Sequence, residues 1–172
     1  KVIRTDMIGP AMLHKMLKRF EREAKSLARM KHRDILNIHD FGEFDGAPYL
    51  VMEYIKGGTL KDRVGKPMPF QDAAKVLLPI SRALSYAHQQ GVLHRDVKPA
   101  NILIDEEGDP LLSDFGIAKI LESNQATQLT GTGVGIGTPE YMAPEQWIGE
   151  VVPGTDIYAL GIVFYELVTG HT

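Results

Sequence analysis

Two short apolar runs, Ile102-Leu103-Ile104 and Leu111-Leu112, flank a turn-rich segment from Asp105 to Pro110, so the chain must double back as a small hairpin there. Asn101 and Asp114 then stand near the two ends of that hairpin, thirteen positions apart in sequence but close in space. The flanking strings are His94-Arg95-Asp96-Val97-Lys98-Pro99-Ala100-Asn101 and Asp114-Phe115-Gly116. Together they gather two carboxylates, a lysine and an amide. Asp96 can orient a hydroxyl nucleophile and accept its proton. Lys98 can neutralise charge on a moving phosphoryl group, and Asn101 with Asp114 can hold magnesium through oxygen ligands.

The rest of the composition limits the alternatives. A chain of 172 residues, 44% hydrophobic and 24% charged, can build one domain with a sizeable core. With no cysteine it has neither a disulfide framework nor a thiolate metal site, which leaves carboxylate, amide or imidazole ligands and favours a hard cation. The net charge of -3 is uneven: residues 1–34 carry ten Lys/Arg against four Asp/Glu, and residues 35–172 carry nine against eighteen. A basic amino-terminal piece without interleaved aromatics reads as a solvated helix face and not as a nucleic-acid surface; a phosphorylated loop is the anion it could meet. The start, Lys1-Val2-Ile3-Arg4, is neither a signal peptide nor a methionine start, and we expect the chain to begin inside a longer protein. The most apolar stretch, Ile157 to Val168, contains Glu166 and is too short to span a bilayer, so it reads as a buried helix and leaves no membrane segment in this chain.

Periodicity sets the organisation. Leu13, Met16, Leu17, Phe20, Ala24 and Leu27 recur at three- and four-residue steps and predict a helix over 11–31. Ile35 to Phe41 and Tyr49 to Tyr54 read as strands of a hairpin joined through Gly42 to Pro48. Gly57-Gly58 then marks a boundary near 55–58. Beyond it, Ala73, Val76, Leu77, Ile80, Ala83, Leu84 and Ala87 predict a helix over 71–90, capped by Gly91 and kinked at Pro79. Residues 121–139, rich in Ser, Thr, Gly and Gln, read as a loop, and there is no internal repeat.

The two strings around the hairpin resemble the catalytic-loop and Asp-Phe-Gly motifs of protein kinases. Val97 stands where that family usually has Leu, and Lys98 resembles its serine/threonine branch. The resemblance implies an α+β fold of two lobes: a partial small β lobe with one helix over 1–55, and a partial, mainly helical large lobe over 56–172. It implies transfer of the ATP γ-phosphoryl to Ser/Thr hydroxyls of protein substrates, with ATP and Mg2+ bound. Asp96, Lys98, Asn101 and Asp114 carry the reaction, Asn101 and Asp114 hold the metal, and Lys1, before Val2-Ile3, resembles the phosphate-binding lysine. Glu23 resembles its paired glutamate; Glu21 competes, but Glu23 lies three residues from Phe20 and four from Leu27, near the buried stripe. Met52-Glu53-Tyr54-Ile55 resembles the hinge, where the Glu53 carbonyl and the Ile55 amide and carbonyl take adenine and Met52 borders the pocket.

Gly137-Thr138-Pro139-Glu140-Tyr141-Met142-Ala143-Pro144-Glu145 resembles the end of the family's activation segment, with Thr138 bonding toward Asp96 and Lys98. Thr130 and Thr132 are loop phosphorylation candidates, with Thr127 a weaker third, and Arg95 is placed to read the phosphate, which implies a switch. Asp156 resembles the buried aspartate that fixes the backbone at His94-Arg95, with helix capping as a competing role. His94 reads as structural, its ring against Phe115, and no chemistry is assigned to the other five histidines. Gly131-Thr132-Gly133-Val134-Gly135 reads as a flexible loop and not as a phosphate-cradling one. The absence of a glycine-rich loop before Lys1 and the stop at Thr172 imply a domain cut at both ends, so the isolated piece is expected to be nearly inactive and poorly soluble. A pseudokinase or regulatory nucleotide-binding module, and a small-molecule phosphotransferase, are the rival readings. The style of the motifs is bacterial, which implies a cytoplasmic kinase domain, a parent open to membrane anchoring, and autophosphorylation or a kinase dimer among its partnerships.

Overall fold

The computed structural model describes residues 1–3, 10–116 and 139–172. The described chain forms two compact units. One comprises residues 1–3, 10–31, 37–54 and Gly116; the other comprises His32–Leu36, Ile55–Phe115 and residues 139–172.

In the first unit, α1 (Pro10–Arg29) buries Met16, Phe20, Ala24 and Leu27, the three- and four-residue stripe that its periodicity predicts. It packs on an antiparallel hairpin, β1 (Ile38–Phe44) and β2 (Ala47–Met52), where Phe20 meets Phe41 edge-on at 6.5 Å between ring centroids. The strands extend further into the turn than their sequence suggested. Asp45 and Gly46 both take positive φ, 50° and 75°, so a two-residue loop closes the hairpin and Glu43 and Pro48 become paired strand residues. Residues 1–3 add to the free edge of β2: Val2 bridges Tyr49, and Leu50 N–H donates to the Lys1 carbonyl at 2.8 Å. β1 begins at Ile38 and not at Ile35. Ile35 and Leu36 belong instead to the second unit, where Ile35 bridges Leu112 and Leu36 N–H donates to the Leu112 carbonyl.

In the second unit, α2 (Phe70–Gln89) buries Ala73, Leu77, Ile80, Ala83, Leu84 and Ala87. Pro79 does not interrupt it, although the missing N–H leaves the Lys75 carbonyl without its helical donor. Gly91, at φ 73°, closes the end. β3 (Ile102–Ile104) and β4 (Pro110–Leu112) form the expected small hairpin, with Ile102 opposite Leu112 and Ile104 opposite Pro110. The Asp105 carboxylate accepts from Asp109 N–H at 2.7 Å and tightens the turn. α3 (Pro153–Thr169) packs on α2 and starts four residues before the apolar run that announces it. Pro153 opens its first turn, and Thr155 Oγ1 accepts from Val152 N–H. No helix among the described residues is long and apolar enough to cross a membrane.

Gly57 marks a close approach of two backbones. Gly58 carbonyl accepts from Ile104 N–H and Thr59 bridges Leu103, so the 57–59 segment runs against β3. A Cβ at Gly57 would overlap the Ile104 carbonyl oxygen and lie 2.5 Å from that of Asp105. Both obstacles are backbone, so Gly57→Ala is expected to cost about 2–4 kcal/mol in urea denaturation. A loss below about 0.5 kcal/mol would show that the approach is not tight.

Candidate active site

The β3–β4 hairpin sets the site's width. Asn101 closes the 3-10 turn Pro99–Asn101 immediately before β3, its N–H donating to the Lys98 carbonyl. Across the hairpin mouth, Ser113 N–H and Ser113 Oγ both donate to the Asn101 carbonyl, at 2.9 and 3.0 Å. This double tie holds Asn101 beside the Ser113-Asp114 step, as the sequence pattern anticipates. Asp114 follows at φ 57°, a left-handed conformation that costs an aspartate about 1–2 kcal/mol.

Asn101 connects the hairpin to the Asp96 carboxylate. Its Nδ2 donates to the Asp96 carbonyl at 2.7 Å and to Asp96 Oδ2 at 3.0 Å. Lys98 Nζ lies 2.9 Å from the same Oδ2, with both side chains about one-fifth exposed, so the pair faces solvent while remaining close. Both amide hydrogens of Asn101 are thereby used. Its Oδ1 accepts no hydrogen bond among the described residues and is left to act as a hard oxygen donor. With the Asp114 carboxylate, this donor chemistry fits a divalent cation that takes its remaining ligands from phosphate and water. No cluster of three or more acidic or imidazole side chains placed to hold a metal occurs among the described residues.

His94 links the two motif strings. It is fully buried, its ring lies 4.7 Å from Phe115, and its Nε2 is 2.8 Å from the Ser113 carbonyl. Asp96 N–H donates to its Nδ1 at 3.2 Å. A backbone donor on Nδ1 and a backbone acceptor at Nε2 require the neutral tautomer with the proton on Nε2. Burial pushes its pKa below the ordinary imidazole value, against the opposing pull of Asp156.

Asp156, in the first turn of α3 and 1% exposed, holds the backbone that leads into Asp96. His94 N–H donates to its Oδ2 at 2.8 Å and Arg95 N–H to its Oδ1 at 2.7 Å, so capping its own helix is not its role. His88 completes the set, with Nε2 2.8 Å from Oδ2. The sequence reading assigned His88 nothing. The available signal was its position four residues after buried Leu84 on α2, which turns it inward.

Lys1 is exposed and its backbone nitrogen donates to the Leu50 carbonyl; the Glu23 carboxylate contacts Arg22 at 3.0 Å, and Glu21 pairs with Lys25. Met52 ends β2, and Glu53 and Ile55 lie just past it. Thr130, Thr132 and Thr138, with Thr127 and the Gly131–Gly135 cluster, lie outside the described residues. After them, Tyr141 Oη donates to Glu166 Oε2 at 2.7 Å; burial and this bond push the phenol up, keeping it a donor.

The protein kinase domain family model matches residues 1–172. The chain is 41% identical to probable serine/threonine-protein kinase PknB of Bifidobacterium longum over 99% of its length and 26% of that protein's. It is 43% identical to serine/threonine-protein kinase PknL of Mycobacterium tuberculosis over 91% of its length and 39% of that protein's. With PrkC of Bacillus subtilis the identity is 41%, over 99% and 26%. The crystal structure of the Mycobacterium tuberculosis PknI kinase domain superimposes with a TM-score of 0.74 at 34% identity, covering 99% of this chain and 62% of that one. The chain thus spans between about a quarter and two fifths of these curated relatives.

The neutral His94 makes stability depend on pH. Its folded pKa lies below the unfolded value, so above about pH 6.5 it contributes no slope, and below that the unfolded chain binds a proton that the native state refuses. Unfolding free energy should therefore fall with decreasing pH by up to about 1.4 kcal/mol per unit from this residue. Urea melts of wild type and His94→Gln at pH 7.5 and 5.5 measure it. Equal losses in both proteins would show that His94 is not the group responsible.

Proposed function

The chain belongs to the protein kinase domain family, and on that premise we propose that it is the catalytic portion of a serine/threonine protein kinase that transfers the ATP γ-phosphoryl to protein hydroxyls. The observation that carries this reading is the Asn101 amide, which ties the proton acceptor Asp96 to the mouth of the hairpin bearing Asp114. Asp96 orients the substrate hydroxyl and accepts its proton as the oxygen bonds to the γ-phosphorus and the bond to ADP breaks. Lys98, 2.9 Å from Asp96, spreads its charge over the transferring group. Asn101 Oδ1 and Asp114 would hold magnesium, which supplies charge neutralisation on the phosphate oxygens.

The kinase resemblance adds Lys1 paired with Glu23 for phosphate binding, and the Glu53 and Ile55 backbone with Met52 for adenine. It also adds Thr138 as a contact toward Asp96 and Lys98, and Thr130 or Thr132 as phosphorylated switches read by Arg95. Location of the domain in the cytoplasm and autophosphorylation within a dimer belong to the same proposal. A binding-only module has no physical need for Asp96, Lys98 and Asn101 in one hydrogen-bonded cluster.

Asp96→Asn in the full-length parent protein keeps the shape of the site but removes the proton acceptor. Phosphate transfer to a protein substrate should fall about 10²- to 10⁴-fold while nucleotide affinity changes little. Unchanged transfer in a radiolabelled-ATP assay would exclude Asp96 as the base.

A further inference from the structure

The peptide group between Arg95 and Asp96 carries the proton acceptor, and the chain enters it through a left-handed φ of 67° at Arg95. Rotation of that plane would swing the Asp96 carboxylate away from Lys98 and Asn101. Asp156 does not prevent this, because it holds the preceding peptide group through Arg95 N–H. The Arg95–Asp96 plane itself is held at both ends: its N–H donates to His94 Nδ1, and its carbonyl accepts from Gln146 Nε2 at 3.2 Å.

Gln146 is engaged at its other end too. Its Oε1 accepts from Ala143 N–H at 3.0 Å, so one orientation of the amide satisfies a donor on one strand of chain and an acceptor on another, and the flipped orientation satisfies neither. The segment it grips is firmly seated: Ala143 is fully buried, and Glu145 Oε1 accepts from Thr155 Oγ1 at 2.8 Å, the residue next to Asp156. We propose that Gln146 is a positioning residue, setting the Arg95–Asp96 peptide, and through it the Asp96 carboxylate, from the Ala143-Pro144-Glu145 backbone. A glutamate at 146 would keep the Ala143 bond and set an anionic oxygen against the Arg95 carbonyl; a methionine would fill the volume and make neither bond.

The kinetic consequence rests on the kinase reading; the hold on the peptide does not. Gln146→Glu and Gln146→Met are therefore compared with wild type in the full-length parent by two measurements. Amide hydrogen exchange across residues 94–98 should quicken about ten-fold in both variants, with protection of α2 unchanged. In phosphate transfer, kcat should fall about ten-fold with KM for Mg-ATP unaltered. Wild-type exchange at 94–98 in both variants would overturn the proposal, as would loss of protection spread equally over α2, or quickened exchange with an undiminished kcat. Quickened exchange confined to 94–98, in a parent that transfers no phosphate even as wild type, would uphold the role of Gln146 and overturn the kinase reading instead.

Discussion

The buried carboxylate of Asp156 accepts two consecutive backbone N–H groups, those of His94 and Arg95, and faces His88 Nε2. Placing a carboxylate at 1% exposure costs several kcal/mol, and short hydrogen bonds offset such a cost. All three contacts here are 2.7–2.8 Å. They make it possible for Arg95 to sit at a positive φ that a long side chain otherwise avoids. The position of α3 also suits the anion, since its amino-terminal turn carries partial positive charge. What descends from this contact is the direction in which the chain enters Arg95; the next peptide, which aims Asp96, is held by His94 and Gln146.

From Asp96 the order spreads through polar ties. Asn101 binds both the backbone and the carboxylate of Asp96, Ser113 binds the carbonyl of Asn101 twice, and His94 reaches the Ser113 carbonyl from the other side. Two stretches nineteen residues apart are thereby locked around one neutral imidazole. Phosphoryl transfer asks little covalent chemistry of a protein and much positioning, so a rigid polar lattice under the partly exposed Lys98 and Asp96 suits the proposed reaction.

The elements were legible wherever one periodic stripe faced one core. Met16, Phe20, Ala24 and Leu27 of the α1 stripe and Ala73, Leu77, Ile80, Ala83, Leu84 and Ala87 of the α2 stripe are buried, while Leu13, Leu17 and Val76 are half-buried at the margins. Boundaries were less legible because single residues decided them. Asp45-Gly46 adopts the two positive φ values that shorten a loop to two residues, and Gly42 to Pro48 looks equally turn-like until that choice is made. Ile35-Leu36 reads as the start of β1 because apolar residues continue into it, yet its hydrogen bonds go to Leu112. Hydrophobicity does not say which partner a strand will take.

The motif strings by themselves pointed to the proposed reaction class and to the four groups proposed to carry it, Asp96, Lys98, Asn101 and Asp114. They determined the hairpin too, because a short apolar–turn–apolar pattern has little choice but to pair with itself. Only the tertiary structure decided which side chains hold those groups still. Asp156 was legible through the family resemblance, but His88 and Gln146 were not: they lie six residues before His94 and fifty-one after Arg95, and act on a buried carboxylate and a backbone carbonyl. A hydrogen bond to a peptide group leaves no mark on the identity of the residue it holds, so such supports become visible only once folding brings donor and acceptor within 3 Å or so of each other.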